Sequence, residues 1–141
     1  MSILIDKETR LIIQGITGKF GQFMTRNMID YGTNIVAGVV PGRRGTKVHG
    51  VEVFDTMQSA VDTTGANASL VLVPPQYNGT DAVYEAINSR VKLVMWLADP
   101  VPVHDMIKLK KVLPQSETTF VGPNSPGVIS PGKCKIGFMP S

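Results

Sequence analysis

Arg10-Leu11-Ile12-Ile13-Gln14-Gly15-Ile16-Thr17-Gly18-Lys19-Phe20-Gly21 decides how this chain folds. Leu11 to Ile13 form a short apolar run without polar alternation, as in a strand buried on both faces. Gly15 stops the run. From Phe20 the apolar residues fall at Phe20, Phe23, Met24, Met28 and Tyr31, the spacing of an amphipathic helix. Gly32 stands where a left-handed residue can close that helix. A strand that enters a helix through a glycine turn is the opening unit of a layered α/β sheet.

The pattern repeats outward. Asn34 to Val40 is a second apolar run, closed by Pro41-Gly42. Arg43 to Gly50 is polar and reads as a loop, and Val51 to Phe54 as a short strand. Asp55 is placed to cap a helix over 56–63 that buries Met57, Ala60 and Val61. Ala68 to Val73 is a strand ended by Pro74-Pro75. Asp81 to Asn88 is a helix with Ala82, Val83, Ala86 and Ile87 on one face. Lys92 to Leu97 is a strand. Pro102 opens a helix that Pro114 ends. Thr119 to Val121 is a last strand, and residues 122–141 read as an irregular Gly/Pro-rich tail. Continuous apolar strands alternating with helices give an α/β fold: a Rossmann-like, open, mainly parallel sheet with helices on both faces. One domain is expected to fill residues 1–141.

The chain has 141 residues, enough to bury a core without disulfides or metals. Hydrophobic residues make up 43% and charged residues 18%, which excludes a disordered composition. A net charge of +3 is too small to argue for nucleic acid. A single cysteine, Cys134, excludes an internal disulfide and a cysteine-based zinc site. The charged residues in 1–10 do not make a signal peptide, and no apolar stretch approaches the roughly 20 residues of a membrane helix. The expectation is a soluble protein of the cytoplasm, or of the mitochondrial matrix after processing, with neither membrane nor nucleic acid as partner.

In such a sheet ligands bind outside the carboxyl ends of the strands. The first loop there is Gly15-Ile16-Thr17-Gly18-Lys19-Phe20-Gly21. Glycines let a backbone approach an anion, and free N–H groups at a helix start point at it. Thr17 adds a hydroxyl and Lys19 a charge. Gly18 is expected to be required both for that approach and for the turn's conformation. The plainer reading is a tight turn; the strand–helix context favours anion binding. The spacing is G-x-x-G-x-x-G, unlike the G-x-G-x-x-G of dinucleotide enzymes. The second loop, Val39 to Gly45, lacks the carboxylate that holds a ribose 2′-hydroxyl in NAD enzymes and carries Arg43 and Arg44 instead. As solvated charges the arginines need no ligand; beside the glycine turn at least one suits a phosphorylated ribose, as in NADP or coenzyme A. The loops Val73-Pro74-Pro75-Gln76 and Leu97-Ala98-Asp99-Pro100 border the same crevice. His49 and His104 lie by no triad pattern, and Cys134 has no activating neighbour. No catalytic residue and no metal ligand is assigned.

Several of these loops together resemble the CoA-binding domain of the succinyl-CoA synthetase (succinate–CoA ligase) α-subunit family. The family's Gln-Gly-Phe-Thr-Gly-x-x-Gly stands here as Gln14 to Gly21, and its Tyr-Gly-Thr as Tyr31-Gly32-Thr33. Its Gly-Val-x-Pro-Gly-Lys-Gly-Gly is Gly38 to Gly45. Its Gly-Pro-Asn-Cys-Pro-Gly-Val-Ile and Pro-Gly-x-Cys-Lys-Ile-Gly-x-Met-Pro are Gly122 to Ile129 and Pro131 to Pro140. The resemblance covers essentially the whole chain. It implies that Thr17, Gly18, Lys19 and Phe20 meet the CoA pyrophosphate region, and that Arg43 stands for a CoA-binding lysine. Leu97, Ala98 and Asp99 border the pantetheine arm near the thiol. With Pro41, Val73, Pro74 and Asn124 these make the expected coenzyme A site.

The family enzyme couples nucleoside triphosphate hydrolysis to thioester formation through a phosphohistidine and an acyl phosphate, a step of the tricarboxylic acid cycle. The resemblance assigns magnesium and ATP or GTP to the full heteromeric enzyme with its β subunit. Three departures stand out. The family α subunit is about twice as long, and its phosphohistidine lies in a second domain that this chain lacks. Ser125 replaces the family cysteine. Ala98-Asp99-Pro100-Val101-Pro102 replaces Thr-Glu-Gly-x-Pro, which leaves the acid substrate open. A CoA-binding part of an acyl-CoA ligase, not competent alone, is the leading expectation; the alternatives are a CoA-sensing module and an NADP-binding oxidoreductase domain.

Overall fold

Strand β1 (Leu11–Gln14) occupies the middle of a seven-stranded sheet ordered β3-β4-β2-β1-β5-β6-β7. The computed structural model describes residues 2–140; Met1 and Ser141, the ends of the expected single domain, lie outside the described residues. The chain runs β1, α1 (Lys19–Tyr31), β2 (Ile35–Val39), β3 (Lys47–Val48), β4 (Val51–Phe54), α2 (Met57–Thr64) and β5 (Ala68–Val71). It continues through α3 (Gly79–Asn88), β6 (Leu93–Trp96), α4 (Val103–Val112), β7 (Thr119–Val121), β8 (Gly127–Ser130) and β9 (Cys134–Gly137). Within the seven-stranded sheet all pairings are parallel except β3 on β4. Counting only the parallel strands in chain order gives 3-2-1-4-5-6, the Rossmann arrangement, with its reversal at β1.

Alternation along β1 sends Leu11 and Ile13 to one layer and Ile12 to the other. The first layer packs Met24 and Met28 of α1 on the sheet; the second packs Met57 and Ala60 of α2, Val83, Ala86 and Ile87 of α3 and Leu109 of α4. Right-handed crossovers explain this split: the chain moves one way through α1 and the other way through α2, α3 and α4. The α1 layer therefore has no helix over β5 and β6. The segment expected to be an irregular tail fills that place. Its β8–β9 pair is an antiparallel hairpin turning at Pro131-Gly132, and Cys134 and Ile136 are buried in the α1 layer with Leu70 and Met95.

The hairpin is tied to α1 and its C-terminal turn. Thr33 Oγ1 donates to Lys135 O at 2.6 Å and accepts from Lys135 N at 3.0 Å. The buried Lys135 ammonium donates to Asn27 Oδ1 at 2.7 Å and lies 5.9 Å from the centre of the Tyr31 ring. Its aliphatic stem is covered while its charge has a polar and an aromatic partner.

Other expectations are corrected locally. Phe20 and Phe23 are 51% and 58% exposed and do not belong to the buried face of α1; Gly21, Met24, Thr25 and Met28 do. Thr56, not Asp55, caps α2, its hydroxyl accepting from Ser59 N at 3.1 Å. The expected loop 43–50 contains β3. Pro114 does not stop the chain's helical path at once, because a 3₁₀ turn over Leu113–Gln115 follows α4 and tolerates proline near its start. Among the described residues no helix is long and apolar enough to cross a membrane.

Candidate functional site

The turn after β1 brings a helix start against the strand edge. Gly15 has φ +86°, and its N–H donates to Val39 O at 3.0 Å. A Cβ there would press on Val73 Cγ2 at 3.2 Å and on Leu72 C at 3.3 Å. At Gly21 a Cβ would enter the carbonyl oxygen of Gly15 and come within 2.8 Å of that of Ile16. Those two glycines are required by the fold. Gly18 is not: its φ is −67°, and the nearest atom to an added Cβ is Gly15 O at 3.9 Å. The expected strain at Gly18 is absent, and only an approaching ligand would meet a side chain there.

Gly18 caps α1 without a side-chain bond, and the first turn holds no acidic residue. The N–H groups of Lys19, Phe20 and Gly21 precede the first intrahelical donor, Gln22 N, which bonds Gly18 O at 2.8 Å. They leave an electropositive end open to an anion. Lys19 and Phe20 are exposed and Thr17 is half-buried, its carbonyl taking the Gln22 side-chain amide at 2.8 Å.

The loop after β2 is shaped by Asp55. Its Oδ1 accepts from Gly42 N at 3.0 Å and from Arg44 N at 3.2 Å, so this carboxylate organises the arginine loop instead of a helix cap. Thr46 closes the loop on Arg43 O through its N–H and its hydroxyl. Pro41, Arg43 and Arg44 are exposed. Among the described residues Arg26–Asp30, at 3.4 Å, is the single ion pair, so both loop arginines keep their charge unpaired.

Beside these loops a cleft of about 450 Å³ opens past the ends of β5 and β6. Of the expected residues it brings together Phe20, Pro74, Leu97, Ala98, Asp99 and Asn124. Thr17, Gly18, Lys19, Pro41, Arg43 and Val73 do not line it; they stand on the turns that follow β1, β2 and β5 at the same edge of the sheet. Pro75 and Gln76, expected to border the crevice with their loop, also line it, whereas sequence reasoning missed Val71, Leu72, Ser125, Pro126 and Phe138. Phe138 belongs to the supposed tail, and its ring sits 6.3 Å from that of Phe20 across the rim. Two short apolar runs around Pro131-Gly132 were the signal for the hairpin that carries it there. The 122–126 loop is anchored by Asn124 N, which donates to Ala98 O at 2.8 Å.

The remaining reactive groups lie elsewhere. His49 Nε2 is 3.1 Å from Gln22 O, and His104 is exposed on α4. Cys134 is buried; burial pushes its thiol pKa up, against a hydrogen bond with Thr33 that pulls it down. Among the described residues no group of three or more His, Cys, Asp or Glu side chains is placed to hold a metal.

A family model described as "CoA binding domain" matches residues 6–99. The chain is 45% identical over 140 residues to a succinate–CoA ligase [ADP-forming] subunit alpha 2 from Archaeoglobus fulgidus, covering 99% of this chain and 48% of the relative. It is 47% identical over 140 residues to the corresponding alpha subunit of Staphylococcus epidermidis, again 99% of this chain and 46% of the relative. The chain thus spans about half the length of the curated relatives it matches. Among solved structures, ATP citrate lyase from Methanothrix soehngenii, in complex with citrate and coenzyme A, superposes with a TM-score of 0.84 at 18% identity. That match covers 96% of this chain and 24% of the other, and shows a shared fold.

Proposed function

The chain belongs to the CoA-binding domain family, and from that premise we propose that residues 1–141 act as the coenzyme A-holding unit of an acid–thiol ligase of the succinate–CoA ligase kind. One observation carries this reading: an uncapped helix start, an arginine loop free of ion pairs and an apolar-walled cleft share one edge of the sheet. Coenzyme A has the matching chemistry, anionic at its phosphates and slender and neutral along its pantetheine arm. Thr17, Gly18, Lys19 and Phe20 would receive the pyrophosphate, Arg43 beside Pro41 the ribose phosphate. Val73, Pro74, Leu97, Ala98, Asp99 and Asn124 would border the arm.

The unit's contribution is orientation. A thiol held in place attacks an acyl phosphate without first losing translational freedom, which lowers the barrier by proximity. Neither His49 nor His104 lines the cleft, and covalent phosphoryl chemistry is assigned to the rest of the enzyme. There a β subunit would bring magnesium and ATP or GTP, in the cytoplasm or mitochondrial matrix. Calorimetric titration with CoA, dephospho-CoA and NADP tests the reading. CoA should bind tightest, and Arg43→Glu should cost CoA about tenfold more affinity than dephospho-CoA, since a charged contact is worth roughly 1.5–3 kcal/mol. Equal losses for the two ligands, or tighter binding of NADP, would overturn it.

A further inference from the structure

We infer that Trp96 is a positioning residue for the pantetheine arm: its indole fixes the Val73–Gln76 wall of the cleft. The inference rests on the coenzyme A reading above. Trp96 ends β6 and is fully buried, the largest such side chain in the chain. Its Nε1–H donates to Val73 O at 3.1 Å. Val73 lies between Leu72 and Pro74, both of which line the cleft. Among the described residues the indole is the one donor to that carbonyl.

The wall has few other ways to hold itself. Pro74 and Pro75 have no N–H, and the last tie of this segment to β1 is one residue earlier, Leu72 N on Gln14 O at 2.9 Å. Pro74 O accepts from Tyr77 N and Gly79 N, which closes the wall on α3 but leaves its root, at Val73, to the indole. Gly79 is part of the same arrangement: a Cβ there would enter Val73 O and come within 2.8 Å of Trp96 Cζ2. A side chain at position 79 and an indole at 96 exclude each other, so the glycine makes room for the tether. The opposite wall hangs from the residues just after the indole, through Asn124 N on Ala98 O. Trp96 thus sits under both walls, and the width of the cleft depends on it.

Trp96 is the chain's single tryptophan, so biosynthetic replacement by 3-benzothienylalanine puts a sulfur in place of its N–H donor and keeps its bicyclic shape. Binding of CoA and of adenosine 3′,5′-bisphosphate, which lacks the arm, is measured by calorimetry for wild type, the benzothienyl protein and Trp96→Phe. The expected result is a loss of about fivefold for CoA in both variants, with the bisphosphate unchanged within about twofold. Unchanged CoA affinity, or an equal loss for both ligands, overturns the positioning role. If wild type binds CoA no more tightly than the bisphosphate, the cleft does not hold the arm, and the coenzyme A reading fails there with the inference.

Discussion

Gly18→Ala and Gly21→Ala, three residues apart in one turn, should separate binding from folding. At Gly21 the new methyl would meet carbonyl oxygens of Gly15 and Ile16, and backbone cannot rotate away as a side chain can. Relief requires lifting α1 off the turn, at the upper end of the roughly 1–3 kcal/mol of overpacking. Alanine returns about 1 kcal/mol through helix propensity. The net loss is about 2 kcal/mol. With an unfolding entropy near 2.1 cal/mol/K per residue, a chain of 141 residues loses about 3 °C of Tm per kcal/mol, so Gly21→Ala should fall by about 6 °C. At Gly18 the nearest atom to the methyl is 3.9 Å away and φ is ordinary. A poorer N-cap costs under about 1 kcal/mol, and the stiffer unfolded chain returns a similar amount. Its Tm should stay within about 2 °C. That methyl nevertheless stands at the open helix start, where it should cost CoA about tenfold in affinity. Thermal melting by circular dichroism and calorimetric titration read both quantities. A Gly18→Ala protein that binds CoA as wild type does would remove this helix start from the site, and an unaltered Tm for Gly21→Ala would refute the packing reasoning.

Further outcomes follow from the same geometry. Ile136→Ala should destabilise the chain by about 3 kcal/mol, read as a lower urea midpoint at unchanged slope, because the hairpin is a core layer; a loss below about 0.5 kcal/mol would make it an appendage. Asp55→Ala should loosen the arginine loop and weaken CoA more than dephospho-CoA, with the two ligands compared in one titration series. Cys134 should resist Ellman's reagent in the native protein and react on unfolding in urea. Its thiol pKa is raised by burial above the ordinary 9.0, so its contribution to stability is whole below about pH 9 and is lost as pH rises through the folded value. Urea titrations at pH 7 and pH 10 should show that loss in wild type, and Cys134→Ala should lack this part of it.

Parallel strands were easy to read because burial on both faces leaves runs such as Leu11–Ile13 without polar interruption. The period from Phe20 to Tyr31 reveals α1, yet it also sweeps in Phe20 and Phe23, which the fold leaves exposed. Apolar spacing cannot tell a side chain facing a core from one facing a ligand cleft. Local preference points to Asp55 as the cap of α2, since aspartate outranks threonine there; the nearby arginine loop claims the carboxylate through tertiary contact and leaves the cap to Thr56. Residues 122–140 were the hardest. Their glycines and prolines suggest irregularity, while their burial depends on a vacancy over β5 and β6 that only the assembled topology creates. Arg43, Pro74 and Leu97 could be placed at the carboxyl edge because strand order alone puts them there. Phe138, far along the chain, could not.

The hairpin also orders events in time. Its anchor joins Thr33 to Lys135, 102 positions apart, and Ser2 meets Ser130 across 128. On a ribosome extending the chain by about 5–20 residues per second, α1 and all seven sheet strands are synthesised while one side of β5 and β6 still faces water. Leu70 and Met95 stay uncovered until residue 136 has left the exit tunnel. The nascent domain therefore passes through an interval with an oily, incomplete face, and a chaperone or a pause in translation placed there would govern the yield of native protein.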